Sequence, residues 1–180
     1  MLSAKEILLD YLRMLLDEEI RTNSGDYVEK YLRNFYMFLE ALTERKPDKR
    51  STFAESVLQV IKIQNEYDLQ HLLCAVLKPL YPDIRSEVSN DSGVGTIRSD
   101  IEIPLLDLIV EAKCTRGKMN LKKLTEEIEA DIVHYQARQI IFYVYDKEKI
   151  VKDKQNYENQ FSRTFDGKKV RLIVQQPVNI

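Results

Sequence analysis

The apolar positions of this chain fall into helical stripes before residue 81 and mostly into short strand-like runs after it. Behind the capping box of Ser3 and Glu6, residues Ile7, Leu8, Tyr11, Leu12, Leu15 and Leu16 recur at helical spacing and predict a first helix ending near Arg21. Thr22 to Asp26 is loop chemistry. Val28, Tyr31, Leu32, Phe35, Leu39 and Leu42 form a second stripe, widened by Tyr27, Tyr36 and Phe38. The segment from Glu44 to Ser51 is charged and broken by Pro47, so the expected division is a helical hairpin over residues 1–50 and a second domain over 51–180.

Within that second part, Thr52 with Glu55 predicts a capped helix through Val57, Val60 and Ile61. Asn65 with Asp68 predicts the next, whose buried face is Leu69, Leu72, Leu73, Val76, Leu77 and Leu80. Ile84 to Ser89 reads as a short strand and residues 90–96 as a turn. A hairpin over 97–113 follows, then a long helix from about Asn120 to Ala137. Residues 139–146 are a buried strand ending on an acid, 147–165 are helical in pattern, Asp166 and Gly167 turn the chain, and Val170 to Gln175 is the last strand. Helix, three strands, helix, strand, helix, strand makes an α/β fold with a mixed sheet, its hairpin in the middle and helices on the faces.

The hairpin carries the candidate chemistry. Leu108 to Lys113 is apolar until it ends on Glu111 and Lys113, which project from one face of a strand while Val110 and Ala112 point to the other. If the chain reverses around Leu105 and Leu106, Asp100 lies opposite Glu111 on the same face. Two carboxylates held together repel unless a cation sits between them, and a hard divalent metal such as Mg²⁺ suits oxygen ligands of this kind. The lysine is then available to orient or deprotonate a water, or to balance charge on a phosphate.

Charge changes this picture by its distribution. The formal net charge is −2, with 44% hydrophobic and 31% charged residues over 180, which is ordinary for a globular chain. Residues 1–30 hold seven acids against four bases, and residues 147–171 hold eight bases against four acids. Lys113, Arg116, Lys118, Lys122 and Lys123 follow the candidate site directly, well placed for phosphates. No apolar run is long enough to cross a membrane, the acid Asp10 that interrupts the run from Ile7 to Leu16 argues against a signal peptide, and Cys74 and Cys114 read as reduced thiols, so a cytoplasmic protein is expected. Zinc is disfavoured because Cys-x-x-Cys spacing is absent, and a built-in motor because there is no Gly-rich phosphate loop.

Taken in order, Asn65-Glu66-Tyr67-Asp68-Leu69-Gln70, Arg85-Ser86-Glu87, Arg98-Ser99-Asp100, Val110-Glu111-Ala112-Lys113, Thr115-Arg116, Asp131-Ile132 with Tyr135, and Tyr145-Asp146 resemble the PD-(D/E)XK nuclease superfamily. The likeness is to its restriction-endonuclease-like domain, in the group of restriction enzymes that cut at GATC. It implies a restriction-endonuclease-like core and Mg²⁺-dependent hydrolysis of phosphodiester bonds, with Mn²⁺ as a substitute ion, and products carrying a 5′-phosphate. Asp100 and Glu111 match the metal-binding carboxylates, joined by the Ala112 carbonyl, and Lys113 matches the catalytic lysine; Glu87 matches a further catalytic acid. Glu66, Asp131 and Tyr135 are possible additional site residues, and Arg98, Arg116, Lys118, Lys122 and Lys123 are the expected nucleic-acid contacts. Cys114 departs from the pattern, standing where a second basic residue is expected. The function expected is an endonuclease on double-stranded DNA in restriction or antiphage defence, with the N-terminal helices forming a homodimer or docking a partner. The rival expectations are a catalytically silent assembly or nucleic-acid-binding subunit, and a nuclease acting on RNA or structured DNA.

Overall fold

The structure is a computed structural model that describes residues 24–43, 46–52, 58, 61–91 and 96–177, with the backbone alone for 88–91, 96 and 97. The helix expected over Ser3 to Arg21, residues 92–95 of the turn expected over 90–96 and most of the helix expected after Thr52 lie outside the described residues. Among those described, a six-stranded sheet runs in the order β1-β2-β3-β4-β6-β5. Its strands are β1 (Arg85–Asp91), β2 (Thr96–Ile103), β3 (Leu108–Cys114), β4 (Gln139–Tyr145), β5 (Thr164–Phe165) and β6 (Lys168–Gln175). β1, β2 and β3 are antiparallel, whereas β3, β4 and β6 are parallel. This is the mixed α/β sheet with a central hairpin that the sequence predicts.

Alternation along the central strands supplies two cores. Val110 and Ala112 of β3, Ile141 and Tyr143 of β4, and Ile173 of β6 face one layer. There they meet Val28 and Leu32 of α1 (24–33), Phe35 of α2 (Phe35–Thr43), and Leu69, Leu73 and Leu77 of α3 (Glu66–Leu77). Ile109, Phe142, Val144, Leu172 and Val174 face the other layer, against Leu124, Ile128 and Ile132 of α4 (Leu121–His134) and Tyr157 and Phe161 of α5 (Lys154–Phe161). Asn65 caps α3 as expected, with the reciprocal Asp68 bond of a capping box.

One reversal that lies where the sequence places it, and two helices that are shorter than expected, have physical reasons. The β2–β3 reversal contains no Gly or Asn; a 3₁₀ turn over Pro104–Leu106 makes it, and Asp107 takes the left-handed conformation at φ 48. A short polar side chain tolerates that region better than a bulky one. The helix expected over 147–165 is confined to Lys154–Phe161. Asp146 accepts from the amides of Ile150 and Val151, and Thr115 Oγ1 from that of Glu148, so these donors are satisfied without a helix. The helix expected to reach Ala137 stops at His134, because Tyr135 is extended (φ −70, ψ 140).

The seam between α1 and the sheet is ionic. Arg171, only 3% exposed, meets Asp26, Glu29 and Gln139, while Arg33 meets Glu158 at 2.8 Å. Gly25 lies against this seam, where a Cβ would run into Gln139 Oε1 and stand 2.9 Å from Arg171 Nη2. Gln139 cannot swing away freely, since it also donates to the Leu106 carbonyl at 3.0 Å. Gly25→Ala is therefore expected to cost about 1–3 kcal/mol through overpacking, read as a lower urea midpoint with an unchanged slope. A midpoint equal to that of the unsubstituted protein would show that the seam yields.

Candidate active site

β3 delivers two charges into the layer covered by α4. Glu111 and Lys113 follow Ile109 on that face and are 5% and 8% exposed. The last paired residues of the hairpin are Ile101 and Val110, so continuing the register places Asp100 across from Glu111. Asp100 Oδ2 accepts the Ala112 N–H at 2.9 Å. Lys113 Nζ lies 2.9 Å from Glu111 Oε1 and 2.8 Å from Asp131 Oδ2, and the Tyr135 hydroxyl donates to Glu111 Oε2 at 2.6 Å. Asp131 comes from the last turn of α4 and Tyr135 from its C-terminal end.

Burial dominates the electrostatics. It pushes the Glu111 carboxyl up to about 7; the Lys113 ammonium opposes the rise, and the Asp100 carboxylate adds to it. Asp100 is also raised, first by burial, against the opposing Ala112 N–H and Lys113. Burial lowers the Lys113 affinity for its proton, but Glu111 and Asp131 outweigh this and hold it above the usual ammonium range. Glu66, at the start of α3, is raised by burial, with Lys113 and the Cys114 N–H opposing and Asp100 adding. One lysine thus faces more buried negative charge than it can balance.

A divalent cation fits these residues. The donors are hard carboxylate oxygens, one of which, Asp100 Oδ1, is not engaged by the Ala112 N–H, and the imbalance has the sign a cation corrects. Among the described residues no three His, Cys, Asp or Glu side chains form a ready metal cluster. The candidate donors are therefore two carboxylates with the Ala112 carbonyl, and Glu66 close by.

A family model described as REase_DpnII-MboI matches residues 26–177. The chain belongs to the DpnII-MboI restriction endonuclease family. Members of such a family are DNA endonucleases of restriction, and they generally use divalent metal ions. No curated protein and no solved structure matches the chain. Within this DpnII-MboI chain the match begins inside α1, whose Val28 and Leu32 are in the core.

The other residues singled out in the sequence fall in different places. Glu66, Asp100, Glu111, Lys113, Asp131 and Tyr135 are brought together by the contacts and charge couplings above. Among the described residues Glu87 makes its ion pair with Arg98 rather than with any of these six. Its backbone is left-handed at φ 55, and its half-exposed carboxylate pairs with Arg98 Nη2 at 2.6 Å. Of the expected phosphate contacts, Arg116 pairs with Glu127 at 3.5 Å and Lys122 with Glu126 at 3.7 Å, while Lys118 and Lys123 are exposed. Cys114 points into the α3 layer, away from the face of Lys113, so a basic side chain at 114 would not reach that face of the strand. A cleft of about 230 Å³ beside the site is lined by Glu66, Tyr67, Cys114 and Arg116. Sequence reasoning passed over Gln70, which is buried and donates to the Asp100 carbonyl at 3.1 Å. Its signals were a polar residue beside the leucine stripe of α3 and its place at the end of the segment Asn65 to Gln70 that carries the resemblance.

Proposed function

We propose that this chain is a Mg²⁺-dependent endonuclease that hydrolyses phosphodiester bonds in double-stranded DNA, in a restriction or antiphage defence role. The observation that carries the reading is the pairing of half-buried Asp100 with buried Glu111, both raised above the ordinary carboxylate range, around the buried ammonium of Lys113. Asp100, Glu111 and the Ala112 carbonyl hold the metal, with Mn²⁺ as a substitute ion. The bound ion supplies polarisation of a phosphoryl oxygen and a more acidic water.

The chain's own residues do the rest. Lys113 acts as an ammonium, since Asp131 stands 2.8 Å away and outside the metal set; it orients the water and offsets charge on the phosphate. Glu66 borders the cleft beside Lys113 and Asp100 and would be a further acid for a bound metal. Arg98, Arg116, Lys118, Lys122 and Lys123 hold the DNA backbone, exchanging weak exposed ion pairs with Glu87, Glu126 and Glu127 for phosphates. Water attack breaks the bond from phosphorus to the 3′ oxygen, leaving a 5′-phosphate and a 3′-hydroxyl. The helices before residue 50 serve dimerisation or partner docking, a role supported by the exposed Tyr27, Met37 and Phe38.

The test is a substrate panel of duplex DNA, single-stranded DNA and RNA, each incubated with Mg²⁺ or with chelator, with end-labelling of the products. Cleavage of the duplex with Mg²⁺ alone, leaving 5′-phosphates, is expected. Preferential cleavage of RNA would transfer the same chemistry to another substrate, and cleavage in chelator would refute the metal.

A further inference from the structure

The β2–β3 ladder stops at the site. Its pairs run from Ile103 and Leu108 to Ile101 and Val110, and beyond them side chains take over the backbone groups. Ala112 gives its N–H to Asp100 Oδ2. The Asp100 carbonyl accepts from Gln70 Nε2 at 3.1 Å. The Tyr135 hydroxyl shares its proton between Glu111 Oε2 at 2.6 Å and the Arg98 carbonyl at 3.2 Å. Gln70 arrives from α3 on one face of the sheet, and Tyr135 from the end of α4 on the other. Both are buried, at 7% and 4% exposure, so water is poorly placed to replace either donor.

We infer that Gln70 and Tyr135 are positioning residues that hold the β2–β3 fork open from opposite faces and thereby set the separation of the Asp100 and Glu111 carboxylates for a divalent cation. The inference rests on the metal-site reading above. Neither residue need touch the ion or the DNA. Their action is on the strand that carries Asp100 and on the Glu111 carboxylate itself, and partners of this kind orient the ligands of a metal site.

Tyr135→Phe and Gln70→Met remove each donor at nearly constant volume. Tyr143→Phe is the control: that hydroxyl is buried with no hydrogen-bond partner among the described residues, on a neighbouring strand and in the α3 layer. Three quantities are measured on the full chain: amide exchange across residues 98–101 and 110–112 without metal, Mn²⁺ affinity by calorimetry, and kcat separately from KM on duplex DNA. Each test variant is expected to speed exchange of the Ala112 amide and weaken Mn²⁺ binding about 10-fold or more. Each should also lower kcat with KM little changed, while Tyr143→Phe does none of these. The double variant should lose less than the two single losses combined, because both act on one fork. Exchange and Mn²⁺ affinity like those of the unsubstituted chain in both single variants would overturn the inference. If the unsubstituted chain takes up no Mn²⁺, the metal-site reading fails, and the exchange measurement alone still decides whether these side chains hold the fork.

Discussion

Lys113→Ala is expected to slow DNA cleavage by about 10²- to 10⁴-fold while leaving duplex binding nearly unchanged, because the lysine acts on the water and the phosphate in flight. The variant also strands two acids. Glu111 Oε1 and Asp131 Oδ2 both lie within 3 Å of the ammonium in a buried site, and removing one partner of such a cluster destabilises by about 3–5 kcal/mol. Stability and catalysis must therefore be separated. Lys113→Arg keeps the charge and is expected to recover most of the stability, yet not the rate, since a planar guanidinium cannot reproduce the point charge at Nζ. Equal recovery of rate and stability by arginine would mean that the lysine is there only to balance charge.

The second large effect is a division between activity and stability in Asp100→Asn. Asparagine retains an oxygen to accept the Ala112 N–H, so the fold loses no hydrogen bond at this point. It removes the carboxylate charge that, after burial, raises Glu111. In chelator the variant is expected to melt a few degrees higher, about 2–4 °C for each kcal/mol of relieved repulsion in a chain of this size. Mg²⁺ should raise the midpoint of the unsubstituted protein, as any ligand selective for the folded state does, and should leave that of Asp100→Asn where it was. Cleavage should fall by about 10²-fold or more, since metal stabilisation of the transition state amounts to several kcal/mol. A variant that melts lower in chelator and still responds to Mg²⁺ would remove Asp100 from the metal set.

Period-two alternation made the centre of this fold readable. It placed Glu111 and Lys113 on one face of β3, and a reversal near Leu105 and Leu106 was enough to bring Asp100 across from Glu111. The capping box at Asn65 and Asp68 was legible for the same reason: its signal is local. What escaped was non-local. The segment after Asp146 has helical composition, but its amides are taken by Asp146 and Thr115, side chains whose reach depends on β3 and β4 being adjacent. Glu87 sits on a strand expected to present it to the site; its left-handed backbone and its ion pair with Arg98 carried no signal in the sequence. Gln70 reads as one polar residue in a helix until β2 is placed against it. The stripe of Val28, Leu32 and Phe35 reads from the sequence as one face of an N-terminal hairpin, and its sharing of a core with Tyr143 and Ile173 depends on packing that no local pattern carries.

The measurement that bears most directly on the central claim is conversion of supercoiled plasmid DNA by the purified chain in Mg²⁺ and in chelator, run beside Lys113→Arg. Nicking or linearisation by the unsubstituted chain in Mg²⁺ alone, and loss of most of that rate in the folded variant, is the predicted result. Cleavage that persists in chelator would contradict a metal-dependent active site built on Asp100 and Glu111, and cleavage that proceeds equally well with arginine at 113 would contradict the role given to Lys113 in orienting the water.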